Sequence, residues 1–238
     1  MGWHLFRRYH GTLLSFPKSG RTWLRVMFDG LGARLEYTHG EGGAGHKGAM
    51  HMNEMQFFDK WLRRKYVIFL HRDPRDTVVS GYFHSRFRLQ NFSGELSDFL
   101  RDPRHGLDKV CKFNVGWMER GMGRPNFLSV SYEALRADTV GEMIRCMEFL
   151  GRPAERAKVQ AVVQECAFEN MQRAEGAMKF KDSYGQLLAP ADPSNPNSFK
   201  VRKGKVGGFK ESLSEEDLAY CDQVLEKWKY FSIVENRV

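Results

Sequence analysis

The chain has 238 residues and a formal net charge of +8, and 42% of its residues are hydrophobic. This length predicts one large domain with a sizeable core, and the apolar content excludes wholesale disorder. The four cysteines are widely spaced, so neither disulfides nor a zinc site are expected. No apolar run approaches the roughly 18 residues of a membrane span. We therefore expect a cytoplasmic protein without a membrane partner, whose basic character suits an anionic ligand.

The first predicted unit is a strand, a tight loop and a helix start. Residues 12–16 are apolar, and apolar side chains recur at helical spacing from Trp23 onwards. Between them lies the sequence Pro17-Lys18-Ser19-Gly20-Arg21-Thr22. Backbone N–H groups at a helix start point outward and form an anion site, to which Lys18 adds positive charge. Gly20 allows close approach of the backbone to a ligand.

A second unit of the same kind follows further along the chain. A short strand is predicted at 35–39, followed by residues 40–63, which are rich in glycine, methionine and aromatic side chains. The continuous apolar run at 66–70 is typical of a central parallel strand. Arg72 comes directly after it, before a predicted helix. Because ligands bind at the carboxyl ends of strands in open α/β sheets, Arg72 is a second candidate anion-binding residue.

The later chain predicts mostly helix. Helices are expected within 93–122, with Ser93 as a cap, and a further strand at 126–132. Two more helices are expected at 139–150 and 153–166, and a final helix starts at the capping sequence Ser214-Glu215-Glu216-Asp217.

A long loop over residues 178–210 precedes the final helix. It contains three prolines, and five of the twelve residues from Phe199 to Lys210 are lysine or arginine. A long loop in a compact domain is usually functional or disordered. We interpret this one as a lid that orders over an anion.

The motifs do not fit an ATP-dependent enzyme. The Walker pattern is absent, because the loop lysine precedes the glycine and no clear acidic strand end follows. Metal-assisted phosphoryl transfer is therefore disfavoured. The basic residues instead form two groups, one at Lys18 and the other at Arg72 with Arg202 and Lys203. Two such groups suit a nucleotide that carries phosphate at two ends.

Five motifs, in this order, resemble those of sulfotransferases that use 3′-phosphoadenosine 5′-phosphosulfate (PAPS). They are Pro17-Lys18-Ser19-Gly20-Arg21-Thr22-Trp23, Arg72-Asp73-Pro74-Arg75-Asp76 with Ser80, Tyr132-Glu133-Ala134-Leu135, Phe168-Glu169-Asn170-Met171, and the lid sequence 202–210. The resemblance implies one sulfotransferase domain over 1–238 with a three-layer α/β P-loop fold, whose central, mostly parallel sheet is flanked by helices. Its expected parts are a donor-binding core (12–135), a helical part (139–175), the lid loop (178–210) and a C-terminal helix (214–230).

The resemblance also implies a role for individual residues. The 5′-phosphosulfate would be held by Lys18, Ser19, Gly20, Arg21 and Thr22. The adenine would contact Trp23, Tyr132 and Phe168. The 3′-phosphate would be held by Arg72, Ser80, Arg202, Lys203 and Gly204. These residue types suit the roles, since arginine binds phosphate with a bidentate fork and aromatic rings offer stacking surfaces. The chain departs from the family pattern at Arg21, where threonine is frequent, and at Gly208-Phe209, where Asp-Trp is common.

The implied reaction is in-line transfer of a sulfuryl group from PAPS to a hydroxyl or amine. It releases 3′,5′-adenosine bisphosphate (PAP) and needs no metal. Lys18 is expected to stabilise the charge on the leaving oxygen. His39 is the expected general base, although Tyr37 stands where the family often has a lysine. The alternative bases are His46, His51 and Glu41.

Two other functions compete with this interpretation. A P-loop small-molecule or nucleotide kinase would share the fold but require ATP and magnesium. A non-catalytic module that binds anions or nucleic acid would explain the charge, but the basic residues lie with glycines at strand ends and loops. We therefore expect no nucleic-acid partner.

The sequence leaves the acceptor open between a small molecule and a carbohydrate. The acceptor pocket is expected to be formed by residues 40–58, 83–92 and 178–200. The phenylalanines and methionines there favour an apolar acceptor with a hydroxyl, whereas Arg86 and Arg88 suit an acidic sugar. The oligomeric state is also left open.

Overall fold

A single parallel sheet forms the centre of the protein. In a computed structural model, the described residues are 9–40, 66–177 and 190–234. The strands are β1 (Gly11–Ser15), β2 (Leu35–Thr38), β3 (Val67–His71) and β4 (Phe127–Ser131). They pair in the order β2-β1-β3-β4, and all three pairings are parallel. The carboxyl ends of all four strands therefore meet at one edge of the sheet.

Helices cover both faces of the sheet in the part of the chain that the structure describes. They are α1 (Arg21–Gly30), α2 (Pro74–Phe83), α3 (Leu96–Arg101), α4 (Leu107–Gly121), α5 (Tyr132–Ala137), α6 (Thr139–Phe149), α7 (Arg156–Glu165), α8 (Phe168–Gly176), α9 (Glu215–Lys227) and α10 (Tyr230–Val234). A π-helical segment spans His84–Arg88, and short 3-10 helices span Pro196–Ser198 and Gly208–Glu211. Among the described helices, none is long and apolar enough to cross a membrane.

Two hydrophobic cores lie on opposite faces of the sheet. Successive side chains of a strand point to opposite faces. Leu13 and Ile68 accordingly pack in one core with α1, α6 and α7. Their neighbours Leu14 and Phe69 pack in the other core with α2, α3, α4, α9 and α10. This arrangement confirms the predicted three-layer α/β fold. The division of the chain into a donor-binding core, a helical part and a lid loop stays a prediction.

The helix starts follow the local chemistry of capping. Pro74 is the first residue of α2, and the Asp73 carboxylate accepts a hydrogen bond from the Arg75 N–H at 2.8 Å. The predicted cap at Ser93 is wrong, because the N-cap of α3 is Glu95, two residues later. There Glu95 and Asp98 form a reciprocal capping box, which satisfies two backbone N–H groups at once.

The predicted C-terminal helix is divided in two. Ser214 caps α9 as expected, accepting a hydrogen bond from the Asp217 N–H at 3.1 Å. The helix then ends at Lys227, and Lys229 has a positive φ of 48°. This turn redirects the chain, so that Tyr230 enters the core with 1% of its surface exposed. Its hydroxyl accepts a hydrogen bond of 2.8 Å from the buried Asn114 amide.

We expect Tyr230→Phe to lower the free energy of unfolding by about 1–3 kcal/mol, because it leaves the buried Asn114 amide unpaired. Tyr66→Phe is the matched control, since the Tyr66 side chain is 42% exposed and the change should be within about 0.5 kcal/mol. Urea denaturation followed by tryptophan fluorescence measures both. Equal effects of the two substitutions would show that the Asn114–Tyr230 bond does not stabilise the fold.

Candidate functional site

A cavity of about 320 Å³ opens at the carboxyl edge of the sheet. Its walls come from the loop after β1, the ends of the other strands, and the helices α2, α5 and α8 with the lid loop. The sequence-predicted site residues that line it are Lys18, Gly20, Arg21, Thr22, Trp23, His39, Arg72, Ser80, Tyr132, Phe168, Arg202, Lys203 and Gly204. The structure thus brings together residues from six parts of the chain. Glu41, His46 and His51 lie outside the described residues.

The backbone of the loop between β1 and α1 has a conformation that can present N–H groups to an anion. Lys18 has a φ of 72°, which is uncommon for a residue with a side chain, and Gly20 has a φ of 101°. A Cβ atom at Gly20 would lie 2.7 Å from the Tyr132 ring, so only glycine fits there. No side chain caps the first turn of α1. The Trp23 N–H donates to the Gly20 carbonyl at 3.0 Å, so an anion would meet the N–H groups of Arg21 and Thr22 at the helix N-terminus.

Ser19 is the one residue predicted to bind PAPS that does not line the cavity. Its side chain is fully buried, and its Oγ has no hydrogen-bond partner among the residues that the structure describes. A buried hydroxyl without a partner is costly, and such groups are normally satisfied. This unsatisfied atom sits in the middle of the anion-binding loop.

Aromatic and cationic side chains form one wall of the cavity. The Arg72 guanidinium lies 4.4 Å from the centroid of the Tyr132 ring. Trp23 meets Tyr132 edge-on, with ring centroids 6.0 Å apart, and its Nε1–H donates to the Cys166 carbonyl at 2.8 Å. The Arg136 guanidinium lies 5.7 Å from the Trp23 ring. These contacts hold a flat, positively charged surface beside the anion-binding loop.

A buried carboxylate ties the end of the lid loop to α2. Asp76 is 3% exposed and accepts hydrogen bonds from the N–H groups of Gly207 (2.8 Å) and Phe209 (2.9 Å). Arg72 lies 3.5 Å from the same carboxylate and donates to the Lys205 carbonyl at 2.9 Å. The end of the lid loop is thereby fixed beside Arg72, which belongs to the second group of basic residues.

A second buried carboxylate fixes the loop further upstream. Glu175 of α8 is 0% exposed and accepts hydrogen bonds from the N–H groups of Lys200 (2.7 Å) and Val201 (2.8 Å). Arg88 completes its set of partners at 3.3 Å. Gln172, one turn earlier on α8, donates to the Val201 carbonyl at 3.1 Å.

Glycine lets the lid loop lie flat on an aromatic ring. A Cβ atom at Gly204 would lie 2.4 Å from the Phe168 ring, and the residue has a φ of 57°. Both features exclude a side chain at this position without a shift of the backbone. Phe168, which is predicted to contact the adenine, therefore adjoins Gly204, which is predicted to hold the 3′-phosphate.

The cavity concentrates positive charge. Burial, and then repulsion by Arg88, Arg72 and Arg202, lower the pKa of Lys18 to about 7, against an opposing attraction from Glu175. Burial and the nearby Lys18 ammonium also lower the pKa of Lys200 well below its usual value. The two buried carboxylates, Asp76 and Glu175, are already engaged with the lid loop. A bound anion would relieve this repulsion and restore the charged state of Lys18.

His39 lies at the end of β2, on the cavity wall. Its Nδ1 is 2.8 Å from the Ser15 carbonyl. Because a carbonyl only accepts hydrogen bonds, Nδ1 carries the proton. The lone pair of the neutral ring is then on Nε2, which is the form that a general base requires.

Four cavity or anchor residues were missed by the sequence interpretation. They are Asp76, His84, Glu175 and Lys200. Asp76 and His84 left a usable signal, since His84 follows the predicted Ser80 by one helical turn and Asp76 lies inside a recognised motif. Glu175 and Lys200 left none, because their proximity arises only from the folding of the lid loop onto α8.

Arg86 and Arg88, expected to meet an acidic sugar, make other contacts. Arg86 donates to the Tyr82 hydroxyl at 2.9 Å and to the Gly94 carbonyl at 2.7 Å. Arg88 pairs with Glu175. Neither is among the described residues that line the cavity. A contact of either arginine with an acidic sugar stays a prediction.

Within residues 9–40, 66–177 and 190–234, no group of three or more His, Cys, Asp or Glu side chains is arranged to hold a metal ion.

The fold and the cavity define a class: a parallel α/β protein with an anion-binding loop and a cationic site at the carboxyl edge of its sheet. The chain belongs to the sulfotransferase family, since the family profile described as "Sulfotransferase domain" matches residues 49–231. The anion-binding loop lies before the matched residues.

Curated relatives and solved structures agree with this family. Rat sulfotransferase 2B1 is 34% identical over 164 residues, covering 66% of this chain and 46% of the relative. Cytosolic sulfotransferase 17 of Arabidopsis thaliana is 29% identical over 172 residues, covering 68% of this chain and 48% of the relative. The chain thus spans about half the length of the curated relatives it matches.

The fold is shared with mouse sulfotransferase SULT7A1, whose crystal structure is complexed with PAP. The TM-score is 0.69 at 20% identity, and the match covers 93% of this chain and 84% of that chain. Retinol dehydratase in complex with androsterone and the inactive cofactor PAP gives a TM-score of 0.57 at 21% identity, over 73% of this chain and 50% of that one.

We expect Asp76→Ala to release the end of the lid loop, because two backbone N–H groups lose their buried acceptor. Amide hydrogen exchange of Gly207 and Phe209 should accelerate by about tenfold or more. Glu211→Gln is the matched control: Glu211 is a half-exposed carboxylate of the same loop that pairs with Lys203 and Lys205, and exchange at the two amides should stay unchanged. Unchanged exchange in Asp76→Ala would show that the loop is held by other contacts.

Proposed function

We propose that the protein is a sulfotransferase that moves a sulfuryl group from PAPS to a hydroxyl or amine of a small-molecule or carbohydrate acceptor. The observation that carries this proposal is that Lys18, Arg72, Arg202 and Lys203 line one cavity, where burial and the neighbouring cations lower the pKa of Lys18 to about 7. The family and the fold support it. A kinase is not favoured, because the loop lacks the Walker pattern.

The proposed donor residues fit a doubly phosphorylated nucleotide. The 5′-phosphosulfate would be bound by the loop from Lys18 to Thr22, where the unsatisfied Ser19 hydroxyl would gain a partner. The 3′-phosphate would be bound by Arg72, Ser80, Arg202, Lys203 and Gly204. Arg72 supports this assignment, since its buried Nε has no hydrogen-bond partner among the described residues. The adenine would lie between Trp23, Tyr132 and Phe168.

In the proposed reaction, a lone pair of the acceptor oxygen or nitrogen attacks sulfur in line with the leaving group. The bond between sulfur and the bridging oxygen breaks, and PAP departs with its electron pair. The acceptor proton moves to Nε2 of His39, whose tautomer is set by the hydrogen bond to Ser15. Lys18 stabilises the negative charge that grows on the bridging oxygen.

We also propose a cytoplasmic location. The four cysteines, Cys111, Cys146, Cys166 and Cys221, are buried and unpaired. Burial raises the pKa of the Cys166 thiol to about 11, which disfavours the reactive thiolate. Such cysteines are compatible with a reducing compartment.

The direct test uses radiolabelled PAPS with a panel of hydroxyl and amine acceptors, both apolar and carbohydrate. Transfer of label to an acceptor, without added metal, is the expected result. Consumption of ATP with magnesium, together with no binding of PAP or PAPS, would contradict the proposal and support the kinase alternative.

We expect His39→Ala to reduce turnover by about a hundredfold or more, because the proposed reaction then lacks its general base. The dissociation constant of PAP should change by less than about twofold, since the base does not hold the nucleotide. His10→Ala is the control, because His10 contacts Arg34 and Arg152 and does not line the cavity. Near-normal turnover of His39→Ala would remove His39 from this role.

We expect PAP binding to take up a proton at Lys18. In the free protein the pKa of Lys18 is about 7, and the bound phosphates raise it. The affinity is therefore constant below pH 7 and falls as the pH rises above 7, by up to about tenfold per pH unit. Calorimetry at pH 8 in two buffers of different ionisation enthalpy measures the uptake. Lys18→Met should lower the uptake, and an unchanged value would assign the proton to another group, such as Lys200.

A further inference from the structure

His84 lines the cavity but has no role in the reaction proposed above. It begins the π-helical segment that follows α2, one helical turn after Ser80. Its ring lines the same cavity as Lys18 and His39. Among the described residues, His84 therefore shares one cavity with Lys18 and with the proposed base.

The surroundings of His84 set its charge. Burial, followed by repulsion from Lys18, Lys200 and Arg88, lowers the pKa of His84 to about 2. The ring is therefore neutral at physiological pH and carries a single N–H.

The position of that N–H follows from hydrogen bonding. Nδ1 is buried and has no hydrogen-bond partner among the residues that the structure describes. A proton there would leave a buried donor unsatisfied, which is rarer in proteins than an unpaired acceptor. The proton therefore belongs on Nε2. His39 has the opposite tautomer, with its proton on Nδ1 and its lone pair on Nε2.

We propose that His84 is a sulfuryl-binding residue, whose Nε2–H donates a hydrogen bond to a non-bridging oxygen of the sulfuryl group. This inference rests on the proposed function. A neutral donor suits the site, because it binds an anionic oxygen without adding another positive charge to a cluster that is already crowded. It does not suit the attacking atom of the acceptor, whose lone pair must stay available for attack on sulfur.

The test compares PAPS with PAP, since PAP lacks the sulfuryl group, and it needs no acceptor. We expect His84→Phe, which keeps a ring of similar size but has no N–H, to bind PAPS about tenfold more weakly than the wild type does. Its dissociation constant for PAP should stay within about twofold. His84→Gln, which retains an N–H donor, should recover most of the affinity for PAPS. Calorimetric titration measures all three proteins.

Equal weakening of PAPS and PAP in His84→Phe, or no change for either nucleotide, would overturn the inference while leaving the proposed function intact. A wild-type protein that binds neither nucleotide would overturn the proposed function itself, and the inference with it.

Nitrogen NMR of the His84 ring in the wild type gives a second test that depends on no variant. We expect the proton on Nε2. We also expect the nitrogen chemical shifts of the ring to change more on binding of PAPS than on binding of PAP. A proton on Nδ1 would overturn the inference even if His84→Phe fails to fold.

Discussion

Repulsion among buried cations governs the architecture of the site. The Lys18 ammonium is buried with Arg72, Arg88 and Arg202 around it, and its pKa falls to about 7 as a result. A fold that places like charges together in a low-dielectric cavity loses stability, and structures of this kind recover the loss when an anion binds. A site with these charges favours a polyanionic ligand, which is the physical basis for proposing a doubly phosphorylated donor.

Two buried carboxylates balance part of this charge and also organise the lid loop. Asp76 accepts the N–H groups of Gly207 and Phe209, and Glu175 accepts those of Lys200 and Val201. Residues 200–209 of the lid loop are therefore joined to α8 at their start and to α2 at their end. Asp76 also lies beside Arg72. The same carboxylate therefore positions both the lid loop and the Arg72 guanidinium.

The sheet explains why residues so distant in sequence meet. With four parallel strands, the loop after β1, His39 after β2, Arg72 after β3 and Tyr132 after β4 all emerge at one edge. The π-helical segment after α2 adds His84 to the same cavity. His39 and His84 then line one cavity with opposite tautomers. His39 can accept a proton, and His84 can donate a hydrogen bond.

Local patterns in the sequence were sufficient for the fold class, for all four strand ends that carry site residues, and for the loop between β1 and α1. Apolar periodicity and glycine placement are local properties, which is why the sequence alone reveals them. They misplaced the start of α3, where Ser93 was expected and the Glu95–Asp98 capping box formed instead. They could not reveal that Glu175 and Lys200 are neighbours, or that His84 shares a cavity with Lys18 and has no partner for its Nδ1 among the described residues. Burial, pKa and tautomer depend on which segments pack together across the chain, and those are properties of the folded protein alone.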